Sequence, residues 1–188
     1  MKYFSMFTGV GGFELGIGDK GECVGFSEVD KYCNKLLENK YPGIRNYGDC
    51  KTINTSDLPD FDLLVGGFPC QSFSIAGKRR GFEDTRGTMF FEISRILEAK
   101  RPKFILLENV KGLLNHNKGQ TFSVIIQTLE ELGYRTQWMV LNSKFHGVPQ
   151  NRERVFIIGS LRRERRPEIL PFRCNDSETA KQGREKIA

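Results

Sequence analysis

A single cysteine stands where an apolar segment ends and a polar, basic segment begins. Cys70 follows Pro69 in the stretch LLVGGFPCQSFSIAGKRRGFEDTRG, which starts at Leu63. A thiol at a strand exit is open to solvent, and a basic neighbourhood lowers its pKa from about 8.5 toward the reactive thiolate form. Because a lone cysteine is more often inert than catalytic, a nucleophilic role for Cys70 requires partner residues.

An acidic residue occupies a comparable position later in the chain. Glu108 ends the apolar run FILLE. Burial at that point would raise the pKa of its carboxyl group and keep it protonated. A protonated carboxyl group can donate a hydrogen bond to the ring nitrogen of a substrate. The alternative is helix capping by the Glu-Asn pair, which Asn109 could provide by itself.

Two arginines and two histidines complete the set of candidate partners. Arg152 and Arg154 straddle the start of the last predicted strand. Alternate residues of a strand share a face, so both guanidinium groups can point at one anion or carbonyl. The alternative is that both arginines form part of a charged, solvent-exposed rim, which is the usual arrangement for such a pair. His116 and His146 have no evident acid beside them, which makes a cysteine–histidine protease a weak alternative.

A glycine-rich turn near the N-terminus predicts a second binding element. Gly9, Gly11 and Gly12 lie in FTGVGGFELG and allow a tight turn and close approach to a ligand. Glu14 stands where the dinucleotide fingerprint needs its third glycine, which disfavours an oxidoreductase and a pyrophosphate ligand. Glu28 follows about twenty residues on, where a carboxylate can accept from ribose hydroxyls.

These features favour a nucleoside without phosphates as the ligand of the glycine turn. Asp49, after a further short extended stretch, could accept from an adenine amino group. The alternative is a loose glycine turn with two surface acids.

Length and composition set the broad class. The chain has 188 residues, 38% hydrophobic and 28% charged, and a formal net charge of +6. This suits one globular domain, with a modest indication of a polyanionic partner. There is no long apolar run and no signal-peptide pattern, so we expect a cytoplasmic protein without a membrane span. Five cysteines without a CxxC pair disfavour a disulfide framework or a metal site.

Apolar runs alternate with helical patterns along most of the chain. The predicted strands are Lys2–Phe7, Cys23–Glu28, Asp62–Gly67, Lys103–Glu108, Thr136–Leu141 and Arg154–Gly159. The predicted helices are Asp30–Lys40, Thr88–Lys100 and Thr121–Leu132. This alternation predicts an α/β fold with a mainly parallel sheet and helices on both faces. The last two strands have no helix between them, so we expect antiparallel neighbours at one edge.

Several of these stretches together resemble one known family. FTGVGGF, EVD, GD, GGFPCQSFS, GFEDTRGTMFFEI, PKFILLENVKG and GVPQNRERVFIIG occur in the order and spacing of DNA (cytosine-5)-methyltransferases. The resemblance covers about residues 2–159 and implies a Rossmann-like S-adenosylmethionine-dependent methyltransferase fold. We therefore expect a catalytic and cofactor-binding domain at 1–160. A polar, basic tail or linker follows at 161–188, and could begin a missing recognition domain.

The resemblance implies a role for each matching residue. The Cys70 thiolate would add to C6 of a flipped-out cytosine, Glu108 would bind N3 and the exocyclic amine, and Arg152 and Arg154 would hold the base. S-adenosylmethionine, with S-adenosylhomocysteine as product, would be bound by Phe7, Gly9, Gly11, Gly12, Glu28, Val29, Asp49, Cys50, Pro69 and Met89. Double-stranded DNA would be contacted from a mobile loop by Gln71, Ser74, Lys78, Arg79 and Arg86.

The sequence also departs from the family pattern. Val29 stands where relatives often have an aromatic residue that stacks on adenine, and Ala76 where some have a polar residue that enters the DNA. Nothing after Gly159 resembles the family's target-recognition region or its Gly-Asn-Ser-type segment, which completes the cofactor site. A fragment, a subunit that needs a second polypeptide, and a truncated gene product remain open explanations. We expect weak cofactor binding and little methylation by this chain alone.

Two other functions remain possible at the level of sequence. The same chemistry acts on cytosine in tRNA in one subgroup of the family, although the loop after Cys70 is more similar to the bacterial DNA enzymes. The chain could also be an inactive remnant, but Cys70, Glu108, Arg152 and Arg154 are all present. The favoured hypothesis is a bacterial or phage DNA-modification enzyme of the restriction–modification type, associated with the nucleoid when bound to DNA.

Overall fold

The structure is a computed structural model that describes residues 1–69, 89–162 and 164. Its strands are β1 (Lys2–Met6), β2 (Glu22–Ser27), β3 (Leu63–Gly67), β4 (Phe104–Val110), β5 (Tyr134–Asn142) and β6 (Glu153–Leu161). Its α-helices are α1 (Gly12–Ile17), α2 (Lys31–Lys40), α3 (Met89–Lys100) and α4 (Gln120–Glu131). Every predicted strand and helix is confirmed, with boundaries that differ by one or two residues.

The six strands form one sheet in the order β2-β1-β3-β4-β6-β5. β1, β2, β3 and β4 pair in parallel, whereas β6 runs antiparallel to both β4 and β5. The predicted antiparallel pair at one edge is therefore confirmed, with β5 outermost and β6 inserted between β5 and β4. This order brings the start of β6 to the carboxyl ends of β3 and β4, where α/β sheets bind their ligands.

Both faces of the sheet carry helices. On one face, Phe13 and Ile17 of α1 pack against Tyr3, Leu63 and Val65. On the other face, α3 and α4 pack over the sheet and bury a larger core, whose fully buried members include Phe4, Leu64, Phe90, Ile93, Leu97, Ile105, Leu107 and Leu129. The apolar residues of α3 and α4 recur every three or four positions, which places them on one side of each helix.

Local signals explain where the helices begin and end. Asp30 caps α2, since its carboxylate accepts from the backbone N–H groups of Tyr32 and Cys33, each at 2.9 Å. Gly133, with φ 88°, terminates α4 in the left-handed conformation that glycine adopts most readily. Within the described residues, no helix has the length and apolar composition needed to cross a membrane.

Candidate active site

The best-defined polar pair of the site joins β4 to β6. Glu108 Oε1 lies 2.7 Å from Arg154 Nε, and both side chains are about one-fifth exposed. The strands hold this pair because β4 and β6 are aligned antiparallel, with Val110 opposite Arg154 and Glu108 opposite Phe156. Arg154 also donates from Nη1 to the backbone carbonyl of Glu153 at 2.8 Å. The guanidinium group is thus fixed by two contacts in different directions.

This geometry differs from the expectation of a buried acid at position 108. Glu108 is partly exposed and forms a salt bridge, so an arginine rather than apolar burial dominates its surroundings. Arg152 is placed differently from Arg154. It lies just before β6, is exposed, and its side chain has no hydrogen bond or ion pair to the described residues. The structure therefore brings Arg154, and not Arg152, to Glu108.

Asn109, which the sequence indicates only as a possible helix cap, connects β4 to the residue that follows β3. Asn109 is 3% exposed and donates from Nδ2 to the Phe68 carbonyl at 2.7 Å. Its Oδ1 accepts from the N–H of Val110 at 2.8 Å. Phe68 immediately precedes Pro69 and Cys70, so Asn109 fixes the backbone from which the predicted nucleophile follows.

A second ion pair lies beside the first. Lys111 Nζ is 2.9 Å from Glu153 Oε1, which joins the residue after β4 to the first residue of β6. No local sequence signal indicates this pair, because the two residues are distant in the chain and neither was assigned a role from its sequence context. An exposed ion pair of this kind contributes little stability by itself, about 0–1 kcal/mol. It lies beside the strand ends that carry Glu108 and Arg154, which the β4–β6 pairing holds together.

Not all predicted site residues lie in the described part of the chain. Cys70, Gln71, Ser74, Lys78, Arg79 and Arg86 lie outside the described residues, and so does Ala76. Pro69 is exposed at the end of the described β3 segment, and half-buried Met89 begins α3 on the other side. Their roles therefore stay predictions.

The glycine turn closes onto the end of β2. Gly9 and Gly11 have φ values of 58° and 85°, and the residue before this turn, Phe7, is itself left-handed at φ 55°. The Gly9 N–H donates to Glu28 Oε2 at 2.7 Å. A Cβ added at Gly9 would meet no atom within 4 Å, whereas one at Gly11 would lie 3.2 Å from the Tyr41 ring. The turn is thus open to a ligand at Gly9 and packed against the protein at Gly11.

Glu28 is largely committed to backbone amides. Its Oε1 accepts from the N–H groups of Val29 and Asp30, both at 2.8 Å, and its Oε2 accepts from Gly9. Since a carboxylate offers about four acceptor positions, one remains on Oε2 for a ligand hydroxyl. Val29 is 68% exposed beside it, so its side chain is open to a ligand.

Asp49 offers a side-chain oxygen to a ligand, whereas Cys50 offers only its backbone. Asp49 caps a short 3₁₀ helix, with Oδ1 accepting from the Lys51 N–H at 2.9 Å, and Oδ2 has no hydrogen bond among the described residues. Cys50 is buried in the core, with Sγ 3.8 Å from the Met89 sulfur, and burial raises the pKa of its thiol to about 11. Cys50 can therefore meet a ligand only through its backbone N–H.

Glu14 lies on the inner side of α1 and not at the ligand side of the turn. It is 3% exposed, and neither carboxylate oxygen has a hydrogen-bond partner among the described residues. Burial raises the pKa of this carboxyl group, which the nearby Ser5 hydroxyl only partly offsets. Glu14 is thus a buried acid within the packing of α1. The described residues contain no cluster of three or more His, Cys, Asp or Glu that could hold a metal ion.

Solved structures of methyltransferases share this fold. The described chain superposes on the crystal structure of the S. pombe Dnmt2 methyltransferase with a TM-score of 0.72 at 20% identity, covering 88% of this chain and 52% of that one. At that identity the likeness establishes the fold alone. The chain has the Rossmann-like fold of the methyltransferases.

Sequence comparison identifies the family. The C-5 cytosine-specific DNA methylase family model matches residues 1–187, and the chain belongs to that family. It is 52% identical to the orphan methyltransferase M.SPRI of Bacillus phage SPR over 85% of this chain and 37% of that protein. It is 47% identical to the type II methyltransferase M.NgoBV of Neisseria gonorrhoeae over 86% of this chain and 42% of that protein. The chain spans between about a third and about half the length of the curated relatives that it matches.

Proposed function

We propose that this chain is the catalytic part of an enzyme that methylates C5 of cytosine in double-stranded DNA. The observation that carries the proposal is the Glu108–Arg154 pair at the carboxyl end of β4, in a member of the C-5 cytosine-specific family. The pair offers a carboxylate and a guanidinium group next to the β3 exit that leads to Cys70. Cytosine presents an amine, a ring nitrogen and a carbonyl, which these two groups can bind together.

The cofactor is S-adenosylmethionine, which supplies an electrophilic methyl group when bound. The residues present fit its nucleoside end, since Gly9 leaves open space and Glu28 keeps one acceptor position on Oε2 for a ribose hydroxyl. Asp49 Oδ2 can accept from the adenine amine. We assign the methionine end to Pro69 and Met89, which flank the segment that carries Cys70. Phe7, Gly11, Gly12, Val29 and the Cys50 N–H would surround the rest.

The residues of this chain divide the chemistry between them. The Cys70 thiolate adds to C6 of the flipped-out cytosine, and the electron pair of the C5–C6 bond moves to C5, which becomes nucleophilic. After taking up a proton, the Glu108 carboxyl group donates to N3 and its other oxygen accepts from the exocyclic amine, and Arg154 donates to the base carbonyl. C5 takes the methyl group, and S-adenosylhomocysteine is released. C5 then gives its proton to a solvent base, the C5–H electron pair re-forms the C5–C6 double bond, and the C6–S bond breaks, which frees Cys70 as the thiolate.

DNA is the favoured polynucleotide substrate. The family model is described for DNA, and relatives about half identical to this chain are bacterial and phage proteins named type II or orphan methyltransferases. We assign phosphate contacts to Gln71, Ser74, Lys78, Arg79, Arg86 and the exposed Arg152. The enzyme would act in the cytoplasm, at the nucleoid when bound to DNA. Methylation of tRNA is the second candidate.

The sheet also supports a need for further polypeptide. On the α1 face, Leu106, Phe156 and Ile158 are only half-buried, whereas Leu107 and Ile157 on the opposite face are fully buried. We propose that a target-recognition region with its cofactor-completing segment covers this apolar surface, whether it belongs to the same polypeptide or to a second one. Without it, base selection and tight cofactor binding are missing.

A trapping experiment tests the proposal. We would co-express this chain with the C-terminal part of the phage SPR relative. The two polypeptides together are called the complemented enzyme below. It would be incubated with S-adenosylmethionine and duplex DNA that contains 5-fluorocytosine, since fluorine at C5 blocks release of the cysteine. We expect a covalent protein–DNA adduct, lost in Cys70→Ala and retained in Cys50→Ala.

Three comparisons make the outcome decisive. An equally strong adduct from 5-fluorocytosine tRNA would favour the RNA candidate. A complemented enzyme that binds S-adenosylhomocysteine but never forms an adduct would favour the inactive remnant. Efficient methyl transfer by this chain alone would contradict the need for further polypeptide.

A further inference from the structure

One asparagine ties together the two segments that carry the predicted adenosine contacts. Asn46 lies next to β2, where its segment adds a short parallel bridge opposite Phe26. Its Oδ1 accepts from the N–H groups of Glu28 at 3.1 Å and of Gly48 at 2.9 Å. Its Nδ2 donates to the Glu28 carbonyl and to Asn34 Oδ1, both at 3.0 Å. Two acceptor and two donor positions of the amide are therefore in use.

The orientation of this amide follows from its partners. Two backbone N–H donors face one end and two oxygen acceptors face the other, so a rotated amide would set donor against donor. The backbone contributes to the same junction, because the Tyr47 N–H donates to the Phe26 carbonyl at 2.8 Å. Ser27 Oγ also donates to the Gly48 carbonyl at 2.6 Å. The end of β2 and the 45–48 segment are thus held at a fixed relative position.

We propose that Asn46 is a positioning residue for adenosine recognition, holding Glu28 and Asp49 in the arrangement that binds ribose and adenine together. Asn46 bonds both the N–H and the C=O of Glu28 and the N–H of the residue before Asp49. A site whose acceptors are fixed before the ligand arrives avoids the entropic cost of ordering them on binding. The inference rests on the proposed function for the identity of the ligand, but the contacts stand independently of it.

The first measurement is S-adenosylhomocysteine affinity of this chain by calorimetry, with ligand concentrations into the millimolar range. Asn46→Ala removes all four hydrogen bonds, and we expect about a 10-fold or greater loss of affinity. Asn34→Ala removes one of the four, and the expected loss is about 3-fold or less. Asn54→Ala is the matched control, because its side chain caps a short helix through the Ser56 N–H, outside this junction. An Asn46→Ala variant that binds within 2-fold of wild type overturns the proposal.

A double-mutant cycle separates positioning from a general loss of stability. Asp49→Asn keeps the capping oxygen but weakens the acceptor for the adenine amine. If Asn46 acts through Asp49, the double variant Asn46→Ala/Asp49→Asn should lose affinity by a factor clearly smaller than the product of the two single-variant factors. Independent effects that simply multiply would indicate that Asn46 only stabilises the fold.

Amide hydrogen exchange provides a readout that needs no ligand. Asn46→Ala should speed exchange at the Glu28 and Gly48 amides, which bond to its side chain, more than at amides in the core of β3. Unchanged exchange at both sites overturns the proposal. If neither this chain nor the complemented enzyme binds S-adenosylhomocysteine, the proposed function loses support, and the exchange data alone decide whether Asn46 holds the two segments.

Discussion

Among the described residues, Glu108 and Arg154 form the shortest side-chain ion pair at the carboxyl end of the sheet, with 2.7 Å between Oε1 and Nε. The pair joins β4, which is parallel to β3, to β6, which is antiparallel to β4. A base held here would meet the carboxylate and the guanidinium group from two adjacent strands of rigid backbone. The position of this pair thus depends on the β4–β6 register.

The first prediction concerns the shape of the guanidinium group. Arg154 contacts Glu108 from Nε and the Glu153 carbonyl from Nη1. A lysine carries one compact charge and cannot reproduce both contacts in this fork geometry. We expect Arg154→Lys to lower the rate of adduct formation by the complemented enzyme by about 10- to 100-fold, the range for one charged hydrogen bond. Arg45→Lys, which alters an arginine stacked on Tyr47 at 4.4 Å, should retain the wild-type rate. Equal rates for both variants would contradict the role given to Arg154.

The second prediction concerns space next to Glu108. A Cβ added at Gly67 would lie 3.2 Å from Glu108 Oε2, so the carboxylate must shift by a few tenths of an ångström. We expect Gly67→Ala to slow adduct formation about 10-fold or more, with a change in the free energy of unfolding below about 1.5 kcal/mol. The control is Gly16→Ala in α1, where a Cβ meets nothing within 4 Å. That variant should keep full activity, and its free energy of unfolding should rise by about 0.5–1 kcal/mol. A fully active Gly67→Ala enzyme would show that Glu108 tolerates displacement.

The third prediction concerns pH and Glu14. Burial raises the pKa of this carboxyl above its ordinary value of 4.5, so the folded state binds the proton more tightly than the unfolded chain. The contribution to stability is complete below the unfolded pKa and is lost as pH rises toward the folded pKa. Between those two pKa values, the free energy of unfolding measured by urea denaturation should fall less with rising pH in Glu14→Gln than in the wild type. Parallel pH profiles for the two proteins would contradict the assignment.

The fourth prediction concerns thiol reactivity. Burial raises the pKa of Cys50 to about 11, so very little thiolate is present at pH 8. We expect Cys50 in the folded chain to react with iodoacetamide about 100-fold more slowly than the same residue in urea, as followed by mass spectrometry of its peptide. Comparable rates in both conditions would mean that the cysteine is accessible in the folded state.

Local patterns determined much of this protein. Apolar runs that end at Gly67 and Val110 form buried strands because adjacent strands and helices cover both of their faces, and the helices repeat apolar residues at helical spacing. The carboxyl ends of those strands define where a ligand binds in such a sheet. The sequence therefore predicted the sheet and its antiparallel pair, and it also indicated Glu28, Asp49 and Glu108 as candidate residues.

Tertiary structure alone decided what those residues contact. Asn109 reaches the Phe68 carbonyl across 41 positions of sequence, and Asn46 reaches Glu28 across 18. Such partners depend on strand register and crossover geometry, which no local pattern encodes. The same holds for Glu14, whose side chain faces the core because of the way α1 packs on β1. Residue type and spacing determine which groups are available for chemistry, whereas long-range packing determines which of them meet.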